Sequence, residues 1–294
     1  MNKQHKPVVV VVGSLHYDIM VDAPGRPMKG ETVTGFAWRP KFGGKGGNQA
    51  VAAARAGARV RMLGAVGDDD FGRFLLARLA EGDVDRSWVA TLPGAASGMS
   101  VAISDASGDY GAVIVSGANL QIDLDAIADP SLWIDARALV LQNEIPVAAN
   151  LAAARAARNV GAMVCLNAAP FRELPAEFRE LVDMLVVNAI EAEQLCGVEV
   201  DDLASAARAA EKLSSMFASS VVTAGGHGVA GCRRGFPSIE LPALPVELVS
   251  THGAGDVFVG SLAAGMAAGR PFGDSLTAAN QAAAEHVSRR PGPG

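Results

Sequence analysis

The sequence predicts an α/β protein: a doubly wound, mostly parallel sheet with a small β-sheet lid. Three observations predict it. Val8–Val12 is an unbroken β-branched run, as expected of a parallel strand buried on both faces. Strand-like and helix-like segments then alternate along most of the chain. Two stretches, 15–42 and 97–117, break that alternation, carrying only short strand-like runs between Gly, Pro, Asp and Ser turns. With 294 residues, 50% of them hydrophobic, there is material for one large domain or two ordinary ones. The reading assigns 1–14, 43–96 and 118–294 to an α/β body and the two odd stretches to the lid.

In order, the first strand is followed by an Ala-rich helix over 48–56 that Gly57 stops. A strand comes next over 59–66, then a helix behind Asp70 whose face is marked by Phe71, Phe74, Leu75 and Leu79. Further units pair 139–141 with Val147–Asn159, 163–166 with the next crossover, 185–187 with Ala189–Cys196, and a helix over 204–216 with a strand over 221–223. Within the lid the predicted strands are 32–36, 100–104 and 112–116. In such a sheet, ligands sit at the carboxyl ends of the strands.

Charge and composition remove several functions. Lys plus Arg is 25 against 31 Asp plus Glu, a net charge of −6, which leaves no general footprint for nucleic acid. Cys165, Cys196 and Cys232 are too sparse for a disulfide framework or a CxxC metal site and read as reduced thiols of a cytoplasmic protein. No stretch approaches the roughly 20 apolar residues of a membrane span, and Val8–Val12 is too short for a signal-peptide core. The five histidines lack HxxxH spacing, and no GxSxG is present. His286 and Glu285 read as a solvated helix edge.

Glycine is in excess, 33 residues or about 11% against a usual 7% or so, and its placement carries the chemistry. Gly43-Gly44-Lys45-Gly46-Gly47-Asn48 opens a helix. It is either a Gly-rich turn before a capped helix or a place where backbone closely approaches a ligand, with Lys45 and Asn48 as donors. It is not a Walker A loop, because Gly46 stands where a magnesium-binding Ser or Thr would be. Gly253-Ala254-Gly255-Asp256 precedes an apolar helix over 257–268. Small residues there leave the first amides open to a phosphate, and Asp256 either serves the helix dipole or accepts a proton from an attacking hydroxyl. Asn188-Ala-Ile-Glu191 has capping-box spacing, and the same two side chains are candidates for positioning magnesium-bound phosphate. Gly226-His-Gly228-Val-Ala-Gly231 matches the dinucleotide fingerprint, but residues 229–233 read as a strand rather than a helix, so a nicotinamide enzyme is not expected.

Together these segments resemble the ribokinase family of carbohydrate kinases, the PfkB group, over almost the whole chain. The resemblance rests on Gly43-Gly44-Lys45-Gly46-Gly47-Asn48-Gln49-Ala50, with Gly57 and Gly67 at the family's distances, and on Ser250-Thr251-His252-Gly253-Ala254-Gly255-Asp256. Gly30-Glu31-Thr32-Val33-Thr34-Gly35 and Asn167-Ala-Ala-Pro170 are similar to its ribokinase branch. The resemblance implies the ribokinase-like form of the doubly wound sheet and an ATP-dependent kinase acting on the primary hydroxyl of a sugar. It implies Asp256 as the base and the amides of Gly253, Ala254 and Gly255 as an anion hole for the transferring phosphoryl group. His16, Asp18, Gly44, Lys45, Asn48 and Glu144 fall where the family holds its sugar. Thr223, Gly225, Gly228 and Asn280 fall along its nucleotide site, with Asn280 near the adenine. Asn188 and Glu191 match its NxxE motif, Glu191 acting on magnesium indirectly through the phosphates. The lid would close over substrate and pair two subunits as a homodimer.

Three departures bear on substrate and activation. Gly13-Ser14-Leu15-His16-Tyr17-Asp18 has His16 where the family carries an Asn that contacts the sugar, with an aromatic beside it, so a nucleoside is the alternative substrate. Ser250 replaces an Asp that helps bind an activating monovalent cation, so weak or absent potassium activation is expected. The chain ends at Gly294, where the family continues through the cation loop and a last helix. A sugar- or nucleotide-binding protein without catalysis is a further alternative, opposed by the retention of Asp256 and Gly253–Gly255.

Overall fold

A computed structural model describes residues 6–105 and 110–289. The chain begins with strands β1 (Val8–Val12), β2 (His16–Asp22) and β3 (Ala37–Gly43). Helix α1 (Lys45–Arg55), β4 (Arg59–Gly67), α2 (Asp70–Glu81), β5 (Val84–Leu92), β6 (Met99–Ser104) and β7 (Tyr110–Val115) come next. The middle of the chain runs through α3 (Leu124–Ala128), β8 (Ala136–Gln142), α4 (Val147–Asn159), β9 (Met163–Asn167), α5 (Ala176–Arg179), β10 (Met184–Asn188) and α6 (Ala189–Cys196). It closes with α7 (Leu203–Ser214), β11 (Ser219–Thr223), β12 (Gly228–Arg233), β13 (Ile239–Pro242), α8 (Ala254–Ala267) and α9 (Phe272–Val287).

Nine strands form one sheet in the order β13-β12-β11-β10-β9-β8-β1-β4-β5. Pairings from β11 across to β5 are parallel, while β12 and β13 add an antiparallel edge. From β1 the chain steps outward to β4 and β5. From β8 it steps outward the other way, through β9 and β10 to β11. The strand order therefore reverses between β1 and β8, and the crevice of such a sheet lies beyond the carboxyl ends at that reversal.

The β-branched run of β1 does what its composition predicts. All five valines are buried, with Val8, Val10 and Val12 in the core under α3, α4, α6 and α7, and Val9 and Val11 in the core under α1, α2, α8 and α9. Alternate residues of a strand face opposite sides, so a strand with a helix layer on each face has no polar position. Helix α8 packs against α1 at Gly260, where a Cβ would lie 2.4 Å from the Gln49 carbonyl and 2.7 Å from the Ala52 Cβ. That close crossing sets Asp256, one turn earlier, beside the second turn of α1.

The smaller sheet runs β3-β2-β6-β7. One strand expectation needs correction here, and one strand is unexpected. The 32–36 run is loop, and the strand is Ala37–Gly43 instead; β2 is a strand that no sequence pattern marks. Pro40 argues against a strand because it offers no N–H, but β3 lies at the sheet edge, where that loss is tolerated. The register gives this sheet two unlike faces. Asp18, Lys41 and Ser100 share one face, whereas Ile19, Val21, Trp38, Val101, Ile103 and Val113 share the other. Trp38 and Val113 are 65% and 68% exposed. The tail 290–294 lies outside the described residues.

Candidate active site

The loops leaving β1 and β8 meet at the strand-order reversal. Ser14 Oγ donates to Glu144 Oε2 at 2.5 Å, and the same oxygen accepts the Lys45 amide at 2.9 Å, the first of α1. Ser14 also receives α1 through its backbone, its carbonyl accepting Gly47 N at 2.9 Å. The glycines of this segment are closely packed by the protein itself. Directions that a Cβ would take from Gly43, Gly44, Gly46 and Gly47 are filled by Asp18, by the backbone of 14–16, by Gly13 and Ser14, and by Leu15 and Phe42. They are glycines because the chain folds over itself, and the amides of Lys45 and Gly47 are spent on protein acceptors.

Helix α8 presents the opposite case. Its N-cap, Gly253, has φ +85° and no side-chain cap, and nothing lies within 4 Å of where a Gly255 Cβ would point. Ala254 N is turned to Thr251 O at 3.2 Å, but the amides of Gly253, Gly255 and Asp256 meet no acceptor among the described residues. Uncapped amides on a 14-residue helix form a ready anion site.

Asp256 is buried in the first turn of that helix. Gln49 Nε2 donates to its Oδ1 at 2.9 Å and Asn48 Nδ2 to its Oδ2 at 3.2 Å. Burial pushes its pKa up to about 6, against the opposing pull of Lys45 and the two amide bonds; Glu144 adds to the rise. A carboxylate with a pKa near neutrality, inside a ring of free amides, is suited to accepting a proton from a hydroxyl.

Around it the expected sugar residues converge. Asp18 Oδ1 accepts Ser100 Oγ at 2.6 Å, and its Oδ2 lies 4.0 Å from His252 Nε2. Lys41, opposite Asp18 in β3, has its pKa lowered by burial although Asp18 and Asp256 attract its charge. His16 is 3% exposed, its Nδ1 3.8 Å from Glu144 Oε2 and its Nε2 buried without a partner. A Cβ on Gly98 would lie 2.7 Å from His16 Cδ2, so the ring is enclosed and has no open face on which a base could stack. Tyr17 is turned away from the pocket altogether, stacked on Phe71 of α2 with centroids 4.0 Å apart and planes at 5°.

The remaining residues line the carboxyl ends of β10 and β11. Asn188 and Glu191 form the capping box: Asn188 Oδ1 accepts Glu191 N at 2.9 Å and Glu191 Oε2 accepts Asn188 N at 3.0 Å. Burial raises the Glu191 pKa, and Lys45 opposes the rise here as it does at Asp256, so its charge acts on both carboxylates. Thr223 pairs with Asn188 across the sheet. Gly225 and Gly226 face open space, while Gly228, at φ +117°, must be glycine because a Cβ would lie 2.1 Å from Leu241 O. Asn280 Nδ2 donates to Pro242 O at 3.0 Å, and Pro242 pairs with Gly228, so Asn280 is tied to the antiparallel edge of the sheet beside Gly228.

Sequence reasoning missed several participants. Gln49 and His252 stand inside quoted motifs without a role, and Lys41 and Ser100 carry no pattern of their own. Asn119 is among them too: its Oδ1 accepts Leu15 N and its Nδ2 donates to Leu15 O, both at 2.8 Å, strapping the loop that carries Ser14 and His16. His286 corrects an expectation: it is half-buried, with Nε2 3.0 Å from the His252 carbonyl, because α9 packs along α8 and reaches the loop before it.

Among the described residues no three His, Cys, Asp or Glu side chains converge to hold a metal, and no helix is long and apolar enough to cross a membrane. Known proteins share both the sequence and the fold. Residues 6–292 match the model of the pfkB family carbohydrate kinases. The chain is 32% identical over 287 residues to the ribokinase of Haemophilus influenzae, covering 97% of this chain and 94% of that one. It is 34% identical over 280 residues to the ribokinase of Bacillus subtilis, covering 95% and 92%. Among solved structures, Arabidopsis thaliana ribokinase complexed with ribose and ATP superposes with a TM-score of 0.89 at 27% identity, covering 97% and 94%. A Burkholderia thailandensis nucleoside kinase in complex with inosine shares the fold, with a TM-score of 0.77 at 20% identity over 96% and 91% of the two chains.

Proposed function

Because the chain belongs to the pfkB family of carbohydrate kinases, we propose that it transfers the terminal phosphoryl group of ATP to the primary hydroxyl of a free, furanose-type sugar. The observation that carries this is Asp256, a buried carboxylate set among the uncapped amides of α8 at the point where the strand order reverses.

In this reading Asp18, Asn48 and Glu144 bind sugar hydroxyls, with Gly44 and Lys45 at the pocket floor and His16 closing one wall. Asp256 accepts the proton as the hydroxyl oxygen attacks. The amides of Gly253, Gly255 and Asp256 meet the charge that gathers on the transferring group, and Ala254 joins them if its amide leaves Thr251. Lys45 supplies positive charge between Asp256 and the phosphates. Thr223, Gly225, Gly228 and Asn280 line the nucleotide groove. Magnesium would arrive with the nucleotide and neutralise phosphate charge. Glu191, its Oε2 held by Asn188 N, would act on that ion indirectly, through the phosphates.

The nucleoside alternative loses its main support, since Tyr17 is committed to Phe71 and His16 is enclosed. The relatives named ribokinase support the free sugar. Ser250 is neutral and exposed, its Oγ accepting His252 N at 3.3 Å, so we assign weak or absent potassium activation. The three cysteines are buried and free, which fits a reducing, cytoplasmic setting. The bare apolar face of the small sheet is assigned to a second copy of the chain.

An ADP-release screen over pentoses, hexoses, ketoses and nucleosides, with and without potassium, tests this. Turnover with a free sugar that vanishes in Asp256→Asn is expected. Turnover with nucleosides alone would overturn the substrate class, and none with any acceptor would overturn the kinase reading.

A further inference from the structure

We infer that Gln49 is a positioning residue: its side-chain amide, locked by Asn167, pins the Oδ1 edge of Asp256 and so turns Oδ2 toward the substrate pocket. The inference rests on reading Asp256 as the base.

Gln49 is fully buried on the second turn of α1. Its Nε2 donates to Asp256 Oδ1 at 2.9 Å and to Asn167 Oδ1 at 3.1 Å. Both partners present oxygen, so a rotated amide would set Oε1 against two acceptors and lose both bonds. Asn167 is itself fixed, because its Nδ2 donates to the Val186 carbonyl of β10 at 3.2 Å. An oriented chain of amides thus runs from the sheet backbone through Asn167 and Gln49 to the carboxylate.

The arrangement is costly in one respect. Gln49 Oε1 is buried and has no partner. An unpaired buried acceptor destabilises a fold, and an apolar side chain of similar volume would fill this place without that penalty. Packing therefore does not account for a glutamine; its two N–H bonds do. The second donor, Asn48, reaches Oδ2 at the longer distance of 3.2 Å and is only half-buried, so the two oxygens are unequal. Oδ1 is held by a fully buried amide and Oδ2 by a half-buried one. A neutral amide also orients the carboxylate without adding a cation to it. The charged groups that face Asp256 are Lys45 of α1, Lys41 of β3 and Glu144 from the loop after β8.

Gln49→Met removes the donor at similar volume. Losing one hydrogen bond to a charged group corresponds to about 10- to 100-fold in rate. The expected result is a folded variant with kcat lowered in that range, sugar KM within about three-fold of wild type and the acid limb of the kcat/KM pH profile moved to higher pH. Carbon-13 NMR of labelled aspartate, with the Asp256 signal assigned through Asp256→Asn, reads the same upward shift without turnover. A folded variant with unchanged kcat and an unmoved Asp256 titration overturns the inference. Should the methionine variant fail to fold, the isosteric Gln49→Glu carries the test. Two adjoining carboxyl groups cannot both ionise easily, so its acid limb should move up by about a pH unit or more, and an unmoved limb overturns the inference. Full turnover in Asp256→Asn would instead overturn the base assignment, whatever Gln49 does to the titration.

Discussion

Ser14 Oγ and Glu144 Oε2, 2.5 Å apart, tie together the loops leaving β1 and β8, two neighbouring strands from which the chain steps outward in opposite directions. The same carboxylate oxygen caps α1 through Lys45 N. One acidic side chain thus joins both halves of the sheet to the helix that carries Lys45, Asn48 and Gln49. Ser14→Ala should cost about 1.5–3 kcal/mol, the range for a hydrogen bond to a charged group, with sugar KM raised more than kcat is lowered. Urea unfolding and steady-state kinetics check this; an unchanged midpoint would show that Glu144 finds another donor.

Asp256 sets a pH dependence in both rate and stability. With a pKa pushed up to about 6, Asp256 becomes protonated as pH falls through 6, and with Asp256 as the proposed base kcat/KM should drop about ten-fold per unit below it. For stability the sign is opposite to that of an ion-paired carboxylate. Its native pKa stands above the unfolded value, so ionisation penalises the folded state above pH 6, and the penalty fades below the ordinary aspartate value of 3.8. Two pKa units amount to roughly 3 kcal/mol at most. Asp256→Asn should therefore melt at a higher temperature than wild type at pH 7–8 and lose that advantage near pH 4. Thermal melts at the two pH values decide it.

Gly46 and Gly226 should respond to alanine in opposite ways. A Cβ on Gly46 would lie 2.6 Å from Ser14 N and 2.7 Å from the Gly13 carbonyl carbon, backbone atoms that cannot yield cheaply, whereas nothing lies within 4 Å at Gly226. Gly46→Ala should cost at least about 1–3 kcal/mol, as overpacking does, and Gly226→Ala should fall within about half a kcal/mol of wild type. Equal melting temperatures for the two variants would contradict this.

The apolar face of the small sheet predicts an assembly. Trp38 and Val113 lie on it at 65% and 68% exposure, beside Ile19, Val21, Val101 and Ile103. Monomeric proteins seldom leave such a surface bare. Sedimentation of the wild type should give a dimer, and Trp38→Glu with Val113→Glu should give a folded monomer. A wild-type monomer at micromolar concentration would remove the assignment.

Much of this architecture is legible in the sequence because periodicity and composition are local properties. The run Val8–Val12 declares a doubly covered strand, and Ala189–Cys196 declares its helix through the capping residues Asn188 and Glu191. What eludes sequence reading depends on distant partners. Pro40 is compatible with a strand only because β3 is an edge, and the role of Gln49 depends on residues 118 and 207 positions away. The glycines at 43–47 show the same gap. Their clustering is plain, but that they make room for Asp18, Ser14 and Leu15 emerges only from the tertiary path.

The joints of the small sheet have a mechanical consequence. It enters from β1 through 13–15 and returns to α1 through Gly43 and Gly44, and Asn119 fastens Leu15 beside them. These attachments and the second pair of joints, at 93–98 and 116–119, meet around Leu15 and His16, which makes that point the fulcrum of a lever. A tilt of the sheet would sweep the outer ends of β2 and β3 through the largest arc while Asp18 and His16 moved least. Paired spin labels at positions 28 and 193 should report a sugar-dependent change in separation, and labels flanking 16 and 44 almost none. In the proposed kinase, such a hinge would let the mouth gape to admit nucleotide while the sugar stays seated.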